Sequence, residues 1–213
     1  MLQIKNLSFG FNEIKNNYLI KNLSFKVKNG EIKLIYGKSG LGKSTLLNLI
    51  TGIKPSNLFW TGKIFLDNKD INYLPIEKRK IGLLMQERFL FPHFRVKENL
   101  MFAMPKHFSK IDRNSIIKDA LTKIKMNNFD NFFPHELSGG QITRIACLRT
   151  LLSFPKAILL DEPFSSLDPK TKNSFKKYFI DEVVSRNIPC LIVTHDKEDI
   201  EISNTLPIEL KNT

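Results

Sequence analysis

The sequence predicts an α/β fold in which a buried sheet core is interrupted by a helical subdomain and preceded by β-rich segments. Three observations carry that prediction. Short runs such as AILL at 157–160 are apolar on both faces, as strands of a buried parallel sheet are. Glycines cluster in GKSGLGKST, Gly37 to Thr45, directly after one such run. Between about Val96 and Ser153 the apolar spacing becomes helical, in VKENLMFAM, IIKDALTKIK and the run that begins at LSGGQ, punctuated by Pro92, Pro105 and Pro134.

In chain order, alternation at Leu2 to Phe9 and Leu23 to Val27 predicts two strands, and Glu31 to Tyr36 a third that ends at the glycine cluster. A helix starts at Lys43. Further strands are expected at Lys63 to Asp67, Ile81 to Gln86, Ala157 to Asp161, Cys190 to Thr194 and Leu206 to Leu210. Asp168 before Pro169 reads as the N-cap and first position of another helix. No internal repeat and no low-complexity linker is evident. At 213 residues the chain fits one large domain, or a core with one inserted subdomain.

Composition narrows the function classes. Hydrophobic residues make up 42% and charged residues 25%, near globular averages, which argues against wholesale disorder and against a disulfide scaffold. Cys147 and Cys190 are far apart in sequence and form no C-x-x-C or Cys/His cluster, so buried, reduced thiols are expected rather than a metal or redox pair. MLQIKNLSF runs into strand-like alternation with no apolar leader core, so no secretory signal is expected, and no run approaches the roughly 20 apolar residues of a membrane-spanning helix. The net charge of +12 fits a lysine-rich solvated surface, contact with anionic lipid headgroups, or nucleic acid. Dispersed lysines and short clusters such as EKRK, Glu77 to Lys80, favour the first and make nucleic acid the least favoured partner.

GKSGLGKS, Gly37 to Ser44, matches G-x-x-x-x-G-K-[ST] between an expected strand and an expected helix. Its glycines let backbone N–H groups turn toward a polyphosphate without Cβ clashes, the helix N-terminus adds its dipole, and Lys43 brings a cation to the β/γ-phosphates. Ser44 supplies a hydroxyl to Mg²⁺. Downstream, KAILLDEP ends an apolar strand in two carboxylates, at the sheet edge where ligands bind. Asp161 is the candidate for holding Mg²⁺, and Glu162 the candidate for polarising the attacking water. DNKD, Asp67 to Asp70, is not a guanine-reading Asn-Lys-x-Asp, so ATP is the expected nucleotide.

These segments, with Gln86 after KIGLLM, LSGGQ at Leu137 to Gln141, SSLD at Ser165 to Asp168 and His195 in IVTHD, resemble in type and order the ATP-binding subunits of ABC transporters. The resemblance implies a P-loop NTPase fold with a mixed, mostly parallel sheet core and an N-terminal antiparallel β subdomain. It implies one ATPase domain over residues 1–213, with the core at about 1–88 and 154–213 and the inserted helical subdomain at about 89–153. In such proteins two subunits face head to tail, and the LSGGQ loop of each covers the ATP held by the other. Ser138, Gly139, Gly140 and Gln141 would then meet the γ-phosphate on a second copy or a similar subunit. The phosphate loop itself is Gly37, Lys38, Ser39, Gly40, Leu41, Gly42, Lys43, Ser44 and Thr45. By the same resemblance Gln86 senses Mg²⁺ and the water, His195 contacts the γ-phosphate, and the Asp168 loop communicates across the dimer. The family stacks adenine on an aromatic residue after the first strand; Phe11 holds that place, and the length of NEIKNNY leaves Tyr18 open as well.

RFLFPHFRVKENLMFA, Arg88 to Ala103, resembles importer ATPases serving thiamine, iron, polyamines, molybdate or maltose, and FWTGKI, LPIEKRKIGLLMQ and NLMFAMP resemble the short YnjD-type group among them. That resemblance implies import of a small solute, a location at the cytoplasmic face of the cell membrane, integral permease subunits as partners, and a periplasmic or surface solute-binding protein in the same system. Phe89, Leu90 and Phe91 are expected either to line a groove for a permease helix or to plug the helical subdomain onto the core. Arg88 is a departure, since a small residue or proline is more usual there. The chain ends soon after His195, so no C-terminal regulatory domain is expected. The same ATP chemistry would serve an exporter or a lipoprotein-release system. A soluble ATPase acting on DNA or ribosomes is disfavoured by the short interval from Gln86 to Leu137, and a silent assembly protein by the intact Lys43, Asp161, Glu162 and His195.

Overall fold

A computed structural model describes residues 1–11 and 18–210. The elements are β1 (Leu2–Phe11), β2 (Tyr18–Val27), β3 (Ile32–Tyr36), α1 (Lys43–Thr51), β4 (Leu58–Leu66), β5 (Lys69–Asp70), α2 (Ile76–Arg79), β6 (Ile81–Leu84), α3 (Val96–Ala103), α4 (Lys110–Lys123), α5 (Gly139–Leu152), β7 (Ala157–Asp161), α6 (Pro169–Ser185), β8 (Cys190–Thr194) and β9 (Ile208–Glu209). They form two separate sheets. One is antiparallel, in the order β2-β1-β4-β5, and the other is parallel, in the order β6-β7-β8-β3-β9.

The parallel sheet explains its own sequence. Every residue of β7 and β8 is buried. Alternate residues serve two cores: Ile158 and Leu160 join the apolar faces of α5 and α6, while Ala157 and Leu159 join α1 and the antiparallel sheet. Cys147 and Cys190 are free and buried in this packing, and burial pushes the Cys147 thiol up to about 12, so neither is a nucleophile at neutral pH. Among the described residues no helix is long and apolar enough to cross a membrane.

The antiparallel sheet corrects the expectation of no repeat. Ile-Lys-Asn-Leu-Ser-Phe occurs twice, at Ile4–Phe9 and Ile20–Phe25, and the two copies pair with each other across β1 and β2. In each copy the asparagine takes a positive φ, 48° at Asn6 and 50° at Asn22, where the register shifts. The bulges are closed reciprocally: Asn6 N–H donates to Ser24 Oγ at 2.8 Å and Asn22 N–H to Ser8 Oγ at 2.9 Å. The bulge at Asn22 breaks simple alternation, which is why β2 begins five residues earlier than alternation implies. DNKD is a hairpin turn, with Asp67 and Asn68 at φ 51° and 61° between β4 and β5.

Arg79 is only 3% exposed and holds the far end of α1. Its guanidinium donates to the carbonyls of Ile50 at 2.7 Å, Asn72 at 2.9 Å and Leu74 at 2.9 Å. Arg79→Ala would strand these buried acceptors, so a loss of about 2 to 4 kcal/mol is expected in denaturant titration. A midpoint equal to the parent's would show that α1 is held by its apolar face alone.

Candidate functional site

The C-terminal ends of the parallel strands converge, as the crevice rule for open α/β sheets requires. β3 runs into the phosphate loop, β7 into Asp161-Glu162, β8 into His195 and β6 into Gln86. Gly42 caps α1 at φ 84° with no side-chain hydrogen bond. A Cβ there would lie 3.2 Å from both Leu19 Cβ and Phe9 Cε2, so glycine is demanded by backbone and packing together. The helix N-terminus is therefore left open to an anion.

Lys43 is buried, and its ammonium donates to the carbonyls of Gly37 at 2.7 Å and Lys38 at 2.8 Å. Burial lowers its pKa, while Glu162 and Asp161 oppose that shift. Asp161 shows the converse: burial raises its carboxyl pKa, and a hydrogen bond from Ser44 works against the rise. A cavity of about 380 Å³ brings together Phe11, Gly40, Gly42, Lys43, Ser44, Thr45, Gln86 and Glu162. A smaller one, about 170 Å³, joins Ser44, Gln86 and Asp161. A third, about 620 Å³, is lined by Gly37, Lys38, Ser39, Leu41 and His195. It is the largest of the three, but it lacks Ser44 and both carboxylates, so we assign the chemistry to the first two.

Phe11 thus lines the same cavity as Lys43. Tyr18 does not line it; its ring packs edge-on against Phe59, with centroids 5.0 Å apart. The segment between them, Asn12 to Asn17, lies outside the described residues.

Glu162 and His195 are in direct contact, with His195 Nδ1 2.6 Å from Glu162 Oε1. Separate sequence readings of the two residues missed this pair, because a strand-end carboxylate and a strand-end histidine become neighbours only when β7 and β8 align. Glu162 also has a φ of 48°, in the left-handed region that a non-glycine residue adopts at a cost.

The signature residues lie elsewhere. Ser138 caps α5: its Oγ accepts from Gln141 N–H at 3.3 Å, and its own N–H donates to Gln141 Oε1 at 2.7 Å. None of Ser138 to Gln141 lines the three cavities at the phosphate loop. The two glycines differ. A Cβ on Gly140 would come 3.2 Å from Ser166 O of the same chain, whereas one on Gly139 would meet nothing within 4 Å. Asp168 caps α6 through Thr171 N–H at 3.0 Å, and Thr143 Oγ1 lies 2.6 Å from Ser166 Oγ, joining α5 to the segment before α6.

The three apolar residues after Arg88 also separate. Phe89 is 60% exposed. Leu90 packs on the main core. Phe91 is half-buried among Phe94 and Phe102, with centroids at 5.4 and 4.9 Å, under the Arg149 guanidinium. Buried Asn99 fixes its backbone, accepting from Phe91 N–H at 2.8 Å and donating to Phe91 O at 3.1 Å.

A glycine-rich phosphate loop ahead of a helix, beside two strand-end carboxylates, defines a nucleoside-triphosphate site of the P-loop class. The particular kind follows from likeness to known proteins: residues 20–165 match the sequence profile of the ABC transporter family, and the chain belongs to that family as an ATP-binding, ATP-hydrolysing subunit. It is 38% identical over 206 residues, 97% of this chain and 94% of the relative, to the "Uncharacterized ABC transporter ATP-binding protein YnjD" of Escherichia coli (strain K12). Among solved structures it is similar to the ATP-binding cassette MJ0796 in a dimeric post-hydrolysis state bound to ADP and Pi, with a TM-score of 0.83 and 30% identity over 99% of this chain and 94% of that one. A second dimeric structure of MJ0796, described as a bacterial ABC transporter cassette, gives a TM-score of 0.82 and 28% identity over 98% and 94%.

Proposed function

We propose that the chain binds ATP with Mg²⁺ at the phosphate loop, hydrolyses it in a head-to-tail pair with a second copy or a similar subunit, and thereby drives import of a small solute through a membrane permease. The whole described chain acts as one ATPase unit in this reading. The observation that carries it is the convergence of Lys43, Ser44, Gln86 and Glu162 on one cavity, with Asp161 beside Ser44 in the next.

Lys43 and the loop amides receive the β- and γ-phosphates, the lysine exchanging its carbonyl partners for phosphate oxygens. Ser44, Asp161 and the Gln86 amide offer oxygen donors on one small cavity, a set that suits a hard cation. When bound there, Mg²⁺ offsets charge on the β- and γ-oxygens. Glu162 takes the proton of the attacking water as its oxygen bonds to the γ-phosphorus and the bond to the bridging oxygen breaks, giving ADP and phosphate. His195 Nδ1 holds the Glu162 carboxylate, and with both ring nitrogens protonated its Nε2–H donates to a γ-phosphate oxygen. Phe11 provides the adenine platform. Gly139 supports the pairing, since its own chain leaves the space above it open. Ser138 and the N-terminus of α5 would face the γ-phosphate of the other copy, with Gln141 holding Ser138 in place. The Asp168 loop, tied to α5 through Ser166, would carry the state of one site to the other.

A permease partner is supported by the exposed Phe89, which follows closely on Gln86, and by Phe102 on α3, 60% and 65% accessible. The assembly would sit at the cytoplasmic face of the cell membrane, with a solute-binding protein delivering substrate outside. Phe91 is the wrong residue with which to test docking, because its packing makes loss of stability the expected effect of truncation. Phe89→Ala should leave the melting temperature of the isolated subunit unchanged and weaken docking by about one to two orders of magnitude, from loss of roughly 1.5 to 3 kcal/mol of apolar burial. Co-purification with the permease and solute uptake into vesicles measure this. Undiminished association removes Phe89 from the interface, and outward movement of solute would establish export.

A further inference from the structure

We propose that Arg88 is a positioning residue that straps the Gln86 segment to the backbone of Glu162, so that displacement of that segment disturbs the catalytic base. The inference rests on Glu162 being the base, as proposed above. The guanidinium spans three carbonyls: Nη1 donates to Met85 O and Gln86 O, and Nη2 donates to Glu162 O. Met85 and Gln86 lie just beyond the end of β6 at Leu84, where Arg88 holds their carbonyls.

The Glu162 carbonyl is held by several donors, Ser165 N–H at 3.4 Å among them. Its residue holds a left-handed φ of 48°, and the carbonyl also accepts from Ser165 Oγ at 3.0 Å, while Glu162 N–H donates to Val193 O at 2.9 Å. Arg88 is thus one of a few groups that over-determine a costly backbone conformation at the point from which the carboxylate reaches His195. Burial lowers the pKa of Arg88, with Cys147, Asp161 and Glu162 opposing, and it stays cationic at neutral pH. Its Nε, buried and without a partner, shows that the side chain is placed by the three carbonyls rather than by full satisfaction of its donors.

The segment is tied at its other end as well. Arg149 on α5 donates to Phe89 O, and Asn99 holds Phe91. Residues 85–91 therefore run between Glu162 and α5, the helix whose N-terminus carries Ser138 and Gly139, with exposed Phe89 in between. A load on Phe89 therefore has a path to Glu162 through the Arg88 side chain.

The test uses steady-state ATP hydrolysis by the full chain. Arg88→Met keeps length and apolar packing but removes the donors; kcat should fall about tenfold with KM for ATP within about twofold. Arg88→Lys keeps the charge but cannot bridge three carbonyls, and should resemble the methionine variant. Arg88→Ala should regain part of its kcat when methylguanidinium is added, a rescue that separates positioning from a folding defect. Unchanged kcat in Arg88→Met, full activity in Arg88→Lys, or no rescue of Arg88→Ala would each overturn the strap. Glu162→Gln serves as the reference: if it hydrolyses ATP at the parental rate, the base assignment itself fails, whereas a dead Glu162→Gln beside a fully active Arg88→Met removes only the strap.

Discussion

Glu162→Gln is expected to lower ATP turnover by about 10² or more while leaving ATP affinity within a few-fold, since an amide of the same shape cannot take the proton of the attacking water. The structure makes this a narrow test. Glu162 Oε1 lies 2.6 Å from His195 Nδ1, and a glutamine oxygen can accept the same hydrogen bond, so the pair keeps its geometry while the basic site disappears. Lys43, Ser44 and the loop glycines are untouched, so the nucleotide is still received. Bound ATP should then persist, and with it the closed pair of subunits. Single-turnover hydrolysis and equilibrium binding of a fluorescent ATP analogue separate the two quantities. Parental turnover in a purified, permease-coupled preparation would mean that the base lies elsewhere; loss of binding in parallel with turnover would mean that the carboxylate supports the loop rather than the chemistry.

What could be read from residues alone depended on whether the physics was local. β7 and β8 have the predicted bounds because a strand buried on both faces leaves an uninterrupted apolar run. The phosphate loop was legible because its steric and electrostatic demands fall within nine consecutive residues, Gly37 to Thr45. Bulges were not. The repeated hexapeptide pairs with itself only through asparagines at positive φ, which alternation does not reveal. Arg88 registered only as an unusual residue, because its meaning lies in Glu162 O, seventy-four positions away. The contact between Glu162 and His195 likewise depends on strand register. The two signature glycines, equivalent as letters, separate once Ser166 is seen to crowd one of them. Phe89, Leu90 and Phe91 form an apolar run without a period, and only packing assigns each to surface, core or aromatic cluster.

Ser138→Arg, introduced into the Glu162→Gln chain, is expected to abolish ATP-dependent pairing. Two explanations of Ser138 compete on the same atoms. As an N-cap it satisfies Gln141 N–H at 3.3 Å, a role worth about 1 kcal/mol and confined to its own chain. As part of a composite site it faces phosphate on a second copy, and an arginine there would put bulk into the phosphate's path and a cation at the positive end of α5. The cap alone cannot account for loss of pairing, because α5 is anchored by eight buried residues, from Thr143 to Leu152, and would stay folded without it. Ser138→Ala separates the two. It deletes the same cap without adding bulk or charge, so it should lower stability no more than the arginine variant and weaken pairing far less. Sedimentation velocity with and without ATP, alongside thermal melting of each variant, reads both quantities. If Ser138→Arg pairs as well as its parent, the N-terminus of α5 does not close over a partner's nucleotide, and Gly139 needs another reason for its open space; if Ser138→Ala loses pairing as completely without a matching loss of stability, the hydroxyl rather than the room above it carries the contact.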